Sequence, residues 1–457
     1  MKNLDGISIV GAGPIAFSLA SSIRASGYGG VVNIFTGVSS DSKVNNFTYT
    51  TKNISPKLIQ DVFIRSVDKL NYKRNNFIHI NTIGIGGGSR FWGASLSEFD
   101  SAVVERNSMN YIFYKNNLKK VLGLFGKFNT NINSFKDLIS KESSNIFLEN
   151  SNNLNISDVF LAIDGGRCTG CGRCLEGCSE GAIWAADKSN FEGLNVNLID
   201  DYIQEVIAID GLINSLRGVS GSIYRVDSEV FLAANPVSNF KLLAQLSGIN
   251  RSNIGCTPAF VFAIPRLRIP KNNYFFGMGV KTFSVINDVG HRIAYGNVYD
   301  GRALSFKDIR VFRIRENILD FIKKYIIKYF WLGAGFISSD NIVCKLTLIE
   351  GEIKFEIESD SRKFLMVKVK KYLKSSIPRN SFLFFKQPLP GSDLHYCDGI
   401  PEGLFVNSET GEVGGYSNLR VAGASNFKFL PPNSPTLSYM ANAYGVGTLF
   451  IQGPTKK

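Results

Sequence analysis

Four of the chain's seven cysteines are spaced Cys168-x2-Cys171-x2-Cys174-x3-Cys178. Thiolates two residues apart in a glycine-containing loop can converge on one cubic cluster while backbone amides hydrogen-bond its sulfurs. The spacing therefore points to an iron–sulfur centre of the [4Fe–4S] type. Structural zinc more often takes two separated cysteine pairs. The proline that usually follows the fourth cysteine is replaced by Ser179. In two-cluster ferredoxins that cysteine serves the other cluster, and this chain has one such run. Either Cys178 closes its own cluster or a remote thiol does, and Cys256, followed by Thr257-Pro258, is the best remote candidate. Cys344 and Cys397 read as buried thiols.

A second constellation is Gly11-Ala12-Gly13-Pro14-Ile15-Ala16, between an apolar strand pattern at 7–10 and a small-residue helical pattern that runs to about 25. Gly11 permits a tight turn, Gly13 lets a pyrophosphate approach the backbone, and Ala16 lets helix and strand pack closely. With a second strand at 31–35 this is a dinucleotide-binding start. One feature departs from the pattern. An acidic residue normally ends the second strand and holds a ribose hydroxyl, but Phe35 and Thr36 stand there, so the adenosine grip must differ.

Taken with Gly86-Gly87-Gly88-Ser89-Arg90-Phe91-Trp92-Gly93, Asn418-Leu419-Arg420-Val421-Ala422-Gly423-Ala424-Ser425 and Pro431-Pro432-Asn433-Ser434-Pro435-Thr436-Leu437, the turn resembles the glucose–methanol–choline (GMC) flavoprotein oxidoreductases, pyranose-oxidase-like members above all. Residues 230–243 resemble that family's return into its FAD domain. The patches lie in the family's order and cover about a third of the chain. The flanks of the cysteines, Arg167, Thr169-Gly170, Gly172-Arg173 and Gly181-Ala182-Ile183, resemble bacterial-type ferredoxins.

The resemblance implies FAD, held by Gly11, Gly13, Ala16, Gly86, Gly87, Gly88, Ser89, Trp92, Gly93, Gly423, Ala424, Pro435 and Thr436. It implies oxidation of a sugar or alcohol hydroxyl by hydride transfer to flavin, or the reverse reaction on a carbonyl. A C-terminal histidine then serves as base. Of His79, His291 and His395, the last precedes the closing motif by a family-like interval. A neutral imidazole suits that role near neutral pH. His79 reads as structural and His291 as part of an exposed turn. The family's second polar partner precedes the motif's proline; Ser434 occupies that place here, with Asn433 one residue earlier. A cluster beside a flavin favours a dehydrogenase over an oxidase, passing single electrons to or from a redox partner or quinone. The alternative is a flavin and iron–sulfur electron-transfer protein without substrate chemistry of its own.

These residues need elements to position them. The expected class is α/β, a Rossmann-like FAD-binding domain interleaved with an α+β substrate domain and a ferredoxin-like loop. Residues 1–100, 201–250 and 386–457 form the FAD domain in three parts, the last carrying the catalytic segment. Residues 101–160 form a cap segment, 161–200 the cluster insertion and 251–385 the substrate domain. At 457 residues, 44% hydrophobic and 19% charged, the chain is globular rather than disordered. The absence of a basic-then-apolar leader makes the cytoplasm the expected location. The charge of +13 fits anionic cofactors, an anionic or lipid-linked substrate, or a lipid surface. No nucleic-acid-binding signature accompanies it, so nucleic acid is not expected. A basic segment at 316–332 with apolar residues at helical spacing reads as a helix that packs on the core or lies on the inner membrane face.

Overall fold

The computed structural model describes residues 1–37, 84–90, 92–131, 146–147, 153–172, 174, 178, 180–266, 277–303, 326–391 and 395–453. It is a mixed α/β protein of several sheets, and the described residues contain seven α-helices. Ile7–Val10 is buried at every position, as a strand covered on both faces must be. It lies at the centre of a five-stranded parallel sheet. The order is Leu419–Val421, Val230–Leu232, Ile7–Val10, Val32–Phe35, Asn197–Ile199.

One face of this sheet, with Ile7, Ile9 and Phe231, packs with helices Pro14–Ala25 and Thr436–Gln452. Hydroxyls lock the two helices together: Ser18 Oγ donates to Met440 O at 2.7 Å and Ser22 Oγ to Tyr444 O at 2.5 Å. Gly447 allows the close approach, since a Cβ there would lie 3.0 Å from Ser22 Oγ. The other face, with Val10, Phe35, Leu232 and Val421, packs with Leu242 and Leu243 of helix Pro236–Ser247 and with the hairpins 203–226. Asn235 caps that helix by accepting from Val237 N, and Gly248 ends it in the left-handed conformation.

A six-stranded antiparallel sheet forms the second large layer, and strand Leu154–Ser157 of the 101–160 segment pairs into its edge. Its centre is a run of phenylalanines laid over glycines. A Cβ on Gly333 would lie 2.0 Å from the Phe262 ring, and one on Gly335 would lie 2.6 Å from Phe260.

The expectation of a helix at 316–332 fails over its described part. Ile327–Tyr329 is a 3-10 turn, and Phe330–Phe336 is a strand paired on both sides. Residues 330–332 instead continue into Gly333 and Gly335 of one strand, where the glycines seat the phenylalanines of the neighbouring strand. Residues 316–325 lie outside the described residues. Among the described residues no helix is long and apolar enough to cross a membrane.

Candidate functional site

The turn after strand Ile7–Val10 depends on Gly11, whose φ is +120° and whose Cβ would lie 2.7 Å from Ala233 O. Gly11→Ala is expected to cost about 1–3 kcal/mol through strain and this clash. The readout is a lowered thermal midpoint, and an unchanged midpoint would show that the turn relaxes. The second glycine loop docks on the first: Gly86 N–H donates to Ala12 O at 2.7 Å and Gly84 N–H to Thr36 O at 3.0 Å. Ser89 Oγ donates to Gly86 O at 2.6 Å and accepts from Ala186 N–H at 3.0 Å.

Both loops open onto one cleft with a volume of 380 Å³. Gly11, Gly13, Gly87, Gly88, Ser89, Trp92, Gly93, Ala424, Pro435 and Thr436 all line it. Ala16, Gly86 and Gly423 stand behind this lining. Ala16 is buried in the first helix. Gly423, at φ +79°, sits where a Cβ would meet the Ile15 side chain at 2.5 Å. Three helices begin at the cleft wall, at Pro14, Pro236 and Thr436. First-turn amides have no partner within their own helix and carry partial positive charge, so the wall suits an anion.

An acidic residue does meet the end of strand Val32–Phe35, from just beyond strand Asn197–Ile199; the cleft lining includes Thr36 and Asp201 but not Asp200. Phe35 is in register with Ile199, so Thr36 stands opposite Asp200, and Thr36 Oγ1 donates to Asp200 Oδ1 at 2.9 Å. Sequence reasoning missed this because the two residues are separated by 164 positions.

His395 lines the cleft wall, partly exposed, with Phe336 edge-on to its ring at 4.7 Å. Its Nδ1 shares a hydrogen bond of 3.2 Å with Thr257 Oγ1. Burial lowers its pKa to about 4, so the imidazole is neutral at pH 7. The six-stranded sheet contributes Asn297, Tyr299 and Phe336 to the same cleft. Asn297, 6% exposed, leaves its buried Oδ1 without a partner. Such an acceptor costs about 1–3 kcal/mol unless a ligand group meets it.

Ser434 also lines the cleft. Asn433 does not, because its side chain is bound into the turn: Nδ2 donates to Glu98 O and Oδ1 accepts from Ser434 N–H, both at 2.9 Å. His291 lies in an exposed turn, and His79 lies outside the described residues.

The four cysteines of the run line a second, small cavity of 20 Å³ with Gly170, Glu180, Ala182 and Ile183. Gly170, Gly172 and Gly181 take left-handed φ values of +68°, +72° and +61°. Amides are aimed at the sulfurs: Ala182 N–H donates to Cys178 Sγ at 3.2 Å, Gly170 to Cys168 and Gly277 to Cys174. Burial pushes the Cys174 thiol up, and the adjacent Cys168, Cys171 and Cys178 add to the rise. Among the described residues no three His, Cys, Asp or Glu side chains already stand in metal-ligating geometry. The thiols ring the cavity without closing on a common centre. Their donor chemistry and amides fit a cluster. Cys256 is elsewhere, fully buried in strand Arg251–Cys256 against Val237 and Phe240. Cys344 and Cys397 are likewise buried.

Neither a protein-family model nor a curated protein matches this chain. One connection joins the two cavities. Ala182 and Ile183 line the cysteine cavity, and the next residue, Trp184, accepts from Trp92 Nε1–H at 2.9 Å. The two indole rings are 5.9 Å apart. Trp92 belongs to the cleft. Segment 182–186 therefore lines the cysteine cavity at one end and, through Trp184 and Ala186, backs the cleft residues Trp92 and Ser89 at the other.

Proposed function

We propose that this protein is an FAD- and [4Fe–4S]-dependent oxidoreductase of the GMC type. In this reading the parallel sheet is a Rossmann-like FAD-binding fold, and the six-stranded sheet covers the substrate. Segment 182–186 carries the reading, because it links a thiol-ringed cavity, by hydrogen bonds to Trp92 and Ser89, to a glycine-walled cleft that also holds a neutral histidine. Bound FAD would supply hydride acceptance and the cluster single-electron transfer to a partner or quinone.

The chain's own groups would do the rest. The glycine turn and the three helix starts would hold a diphosphate. His395, neutral and oriented by Thr257, would accept the proton of a sugar or alcohol hydroxyl. Asn297 and Ser434 would orient that hydroxyl from the sheet and the closing motif. Phe336 and Tyr299 would exclude water.

Anaerobic purification with optical and electron-spin-resonance spectra tests the cofactor pair. Oxidised flavin with a reducible cubane supports it, and a colourless zinc protein removes it. A broad alcohol and sugar panel tests the chemistry. If both cofactors are present and no compound reduces the flavin, the electron-transfer alternative takes its place.

Thr36 lines the cleft, and Asp200, which accepts from its hydroxyl, would fix it as part of the adenosine grip; Asp200→Asn tests this. The substitution is expected to weaken FAD binding by about tenfold, the worth of one charge-assisted hydrogen bond. FMN, which lacks the adenosine, should bind the variant and the parent equally. Both affinities are read by fluorescence titration of the apoprotein, and equal losses for the two flavins would remove Asp200 from the ribose site.

A further inference from the structure

Helix Arg362–Ser375 shows two faces of opposite character. Met366, Val369 and Leu373 are buried in the main core. At 100° per residue the outward face centres on Phe364 and Lys371, with Val367, Lys368 and Lys374 beside them. Phe364 is 70% exposed and Val367 65%. Lys363, Lys368, Lys370, Lys371 and Lys374 are all exposed, and the helix contains no acidic residue. Lys368 Nζ sits 4.8 Å from the Phe364 ring centre. The acids that reach the helix are already engaged: Asp360 pairs with Arg362 and Asp288 accepts from Tyr372. Just past the helix, Phe382 and Phe384 are 71% and 57% exposed, and Lys374 Nζ donates to Ser381 O, which ties this segment to the helix end.

Exposed phenylalanines standing singly need no explanation. Three of them with a valine among five lysines do. A lysine array without carboxylates repels other basic surfaces and is complementary to an anionic one. The outward face of one helix is convex and offers no groove for a peptide or a nucleic-acid strand. A bilayer surface matches on both counts, because its phosphates meet the ammonium groups and its acyl boundary accepts the phenyl rings.

We propose that Arg362–Ser375, with Phe382 and Phe384, docks the protein reversibly on an anionic membrane surface. The helix packs against strands Lys281–Ile286 and Arg292–Asp300, and neither it nor Phe382 or Phe384 lines the cleft, so docking leaves the cleft clear. The proposal does not depend on the flavin reading, though a membrane position would bring the enzyme to a lipid-dissolved quinone or a lipid-linked substrate.

Sedimentation of the full chain with vesicles tests it. Phosphatidylcholine vesicles containing about 30% phosphatidylserine should bind the chain at least tenfold more tightly than pure phosphatidylcholine. Raising the salt should weaken that binding. Each lysine near such a surface is worth about fivefold, so K368E/K371E/K374E should reduce binding by about a hundredfold or more. F364A/F382A should reduce it by about tenfold at unchanged salt dependence. All five side chains are exposed, and an unchanged circular-dichroism melt confirms that the variants fold. Equal binding to both vesicle types would overturn the proposal, as would no loss in either variant. Tighter binding to mixed-sequence RNA than to the anionic vesicles would overturn it in favour of a nucleic-acid surface.

Discussion

His395→Ala is expected to lower kcat/KM for alcohol oxidation by about 10²–10⁴-fold, the usual worth of a positioned general base, while flavin stays bound. The pH behaviour makes this specific. A histidine in water titrates near 6.5, whereas burial in the cleft wall brings His395 down to about 4. The base is then available through the neutral range, and activity should stay flat until roughly pH 5 before falling. An acid limb centred near 6.5 would mean that the imidazole is solvated and the cleft more open than described.

The same shift has a sign for stability. Below about 6.5 the unfolded chain binds a proton that the folded His395 refuses, so this residue's contribution to stability falls between there and about 4 and is constant below. Asp398, whose pKa burial raises to about 6, contributes with the opposite sign. His395→Gln should remove the histidine's share of that slope, a readout that needs no substrate. Thr257→Val removes the hydroxyl at 3.2 Å from Nδ1. As a positioning change it should lower kcat more than it raises KM. If His395→Ala retains full activity with both cofactors bound, the catalytic assignment fails.

The fold was legible wherever chemistry constrains the backbone. Ile7, Ile9 and Val10 are apolar because both faces of the strand are covered, with the small Ser8 buried between them, and Gly11 must be glycine because Ala233 O stands where its side chain would go. Such requirements are local and can be read from a short window. Asp200 was not legible, since its relation to Thr36 exists only through parallel pairing of strands far apart in sequence. Cys256 stood out as a chemical residue type, yet its neighbour Thr257 is the one that reaches the cleft, through His395. Alternation along strand Arg251–Cys256 turns Cys256 into the core. Over 327–332, the described part of the 316–332 pattern, the expectation of a helix misled because apolar aromatic residues suit a strand as well as a helix. Gly333 and Gly335 were the available warning.

Replacing any one of Cys168, Cys171, Cys174 or Cys178 by Ala is expected to remove about half or more of the iron bound per chain, with loss of the parent's spin-resonance signal. Cys256→Ala and Cys344→Ala should keep both, since those thiols sit in a separate core cluster. The two classes of variant thus decide the ligand set directly. If Cys256→Ala strips the iron and Cys178→Ala does not, the fourth ligand is remote and the cavity rearranges around it. For electron flow the expectation is sharper. Substrate should still reduce flavin in the Cys174→Ala protein, while transfer to a one-electron acceptor falls by about a hundredfold or more, because the exit route is gone and the entry step is not. Segment 182–186 adds a structural coupling to this redox one. Ala182 contacts Cys178, Trp184 holds Trp92, and Ala186 holds Ser89. Losing the cluster should therefore loosen the cleft wall and weaken flavin affinity by a few-fold, about 1 kcal/mol for one such hydrogen bond. Trp92→Phe separates the two effects. It removes the bond to Trp184 while leaving every cysteine in place, so it should weaken flavin binding with iron content unchanged. An equal loss of iron in that variant would mean that the two cavities fold as one unit.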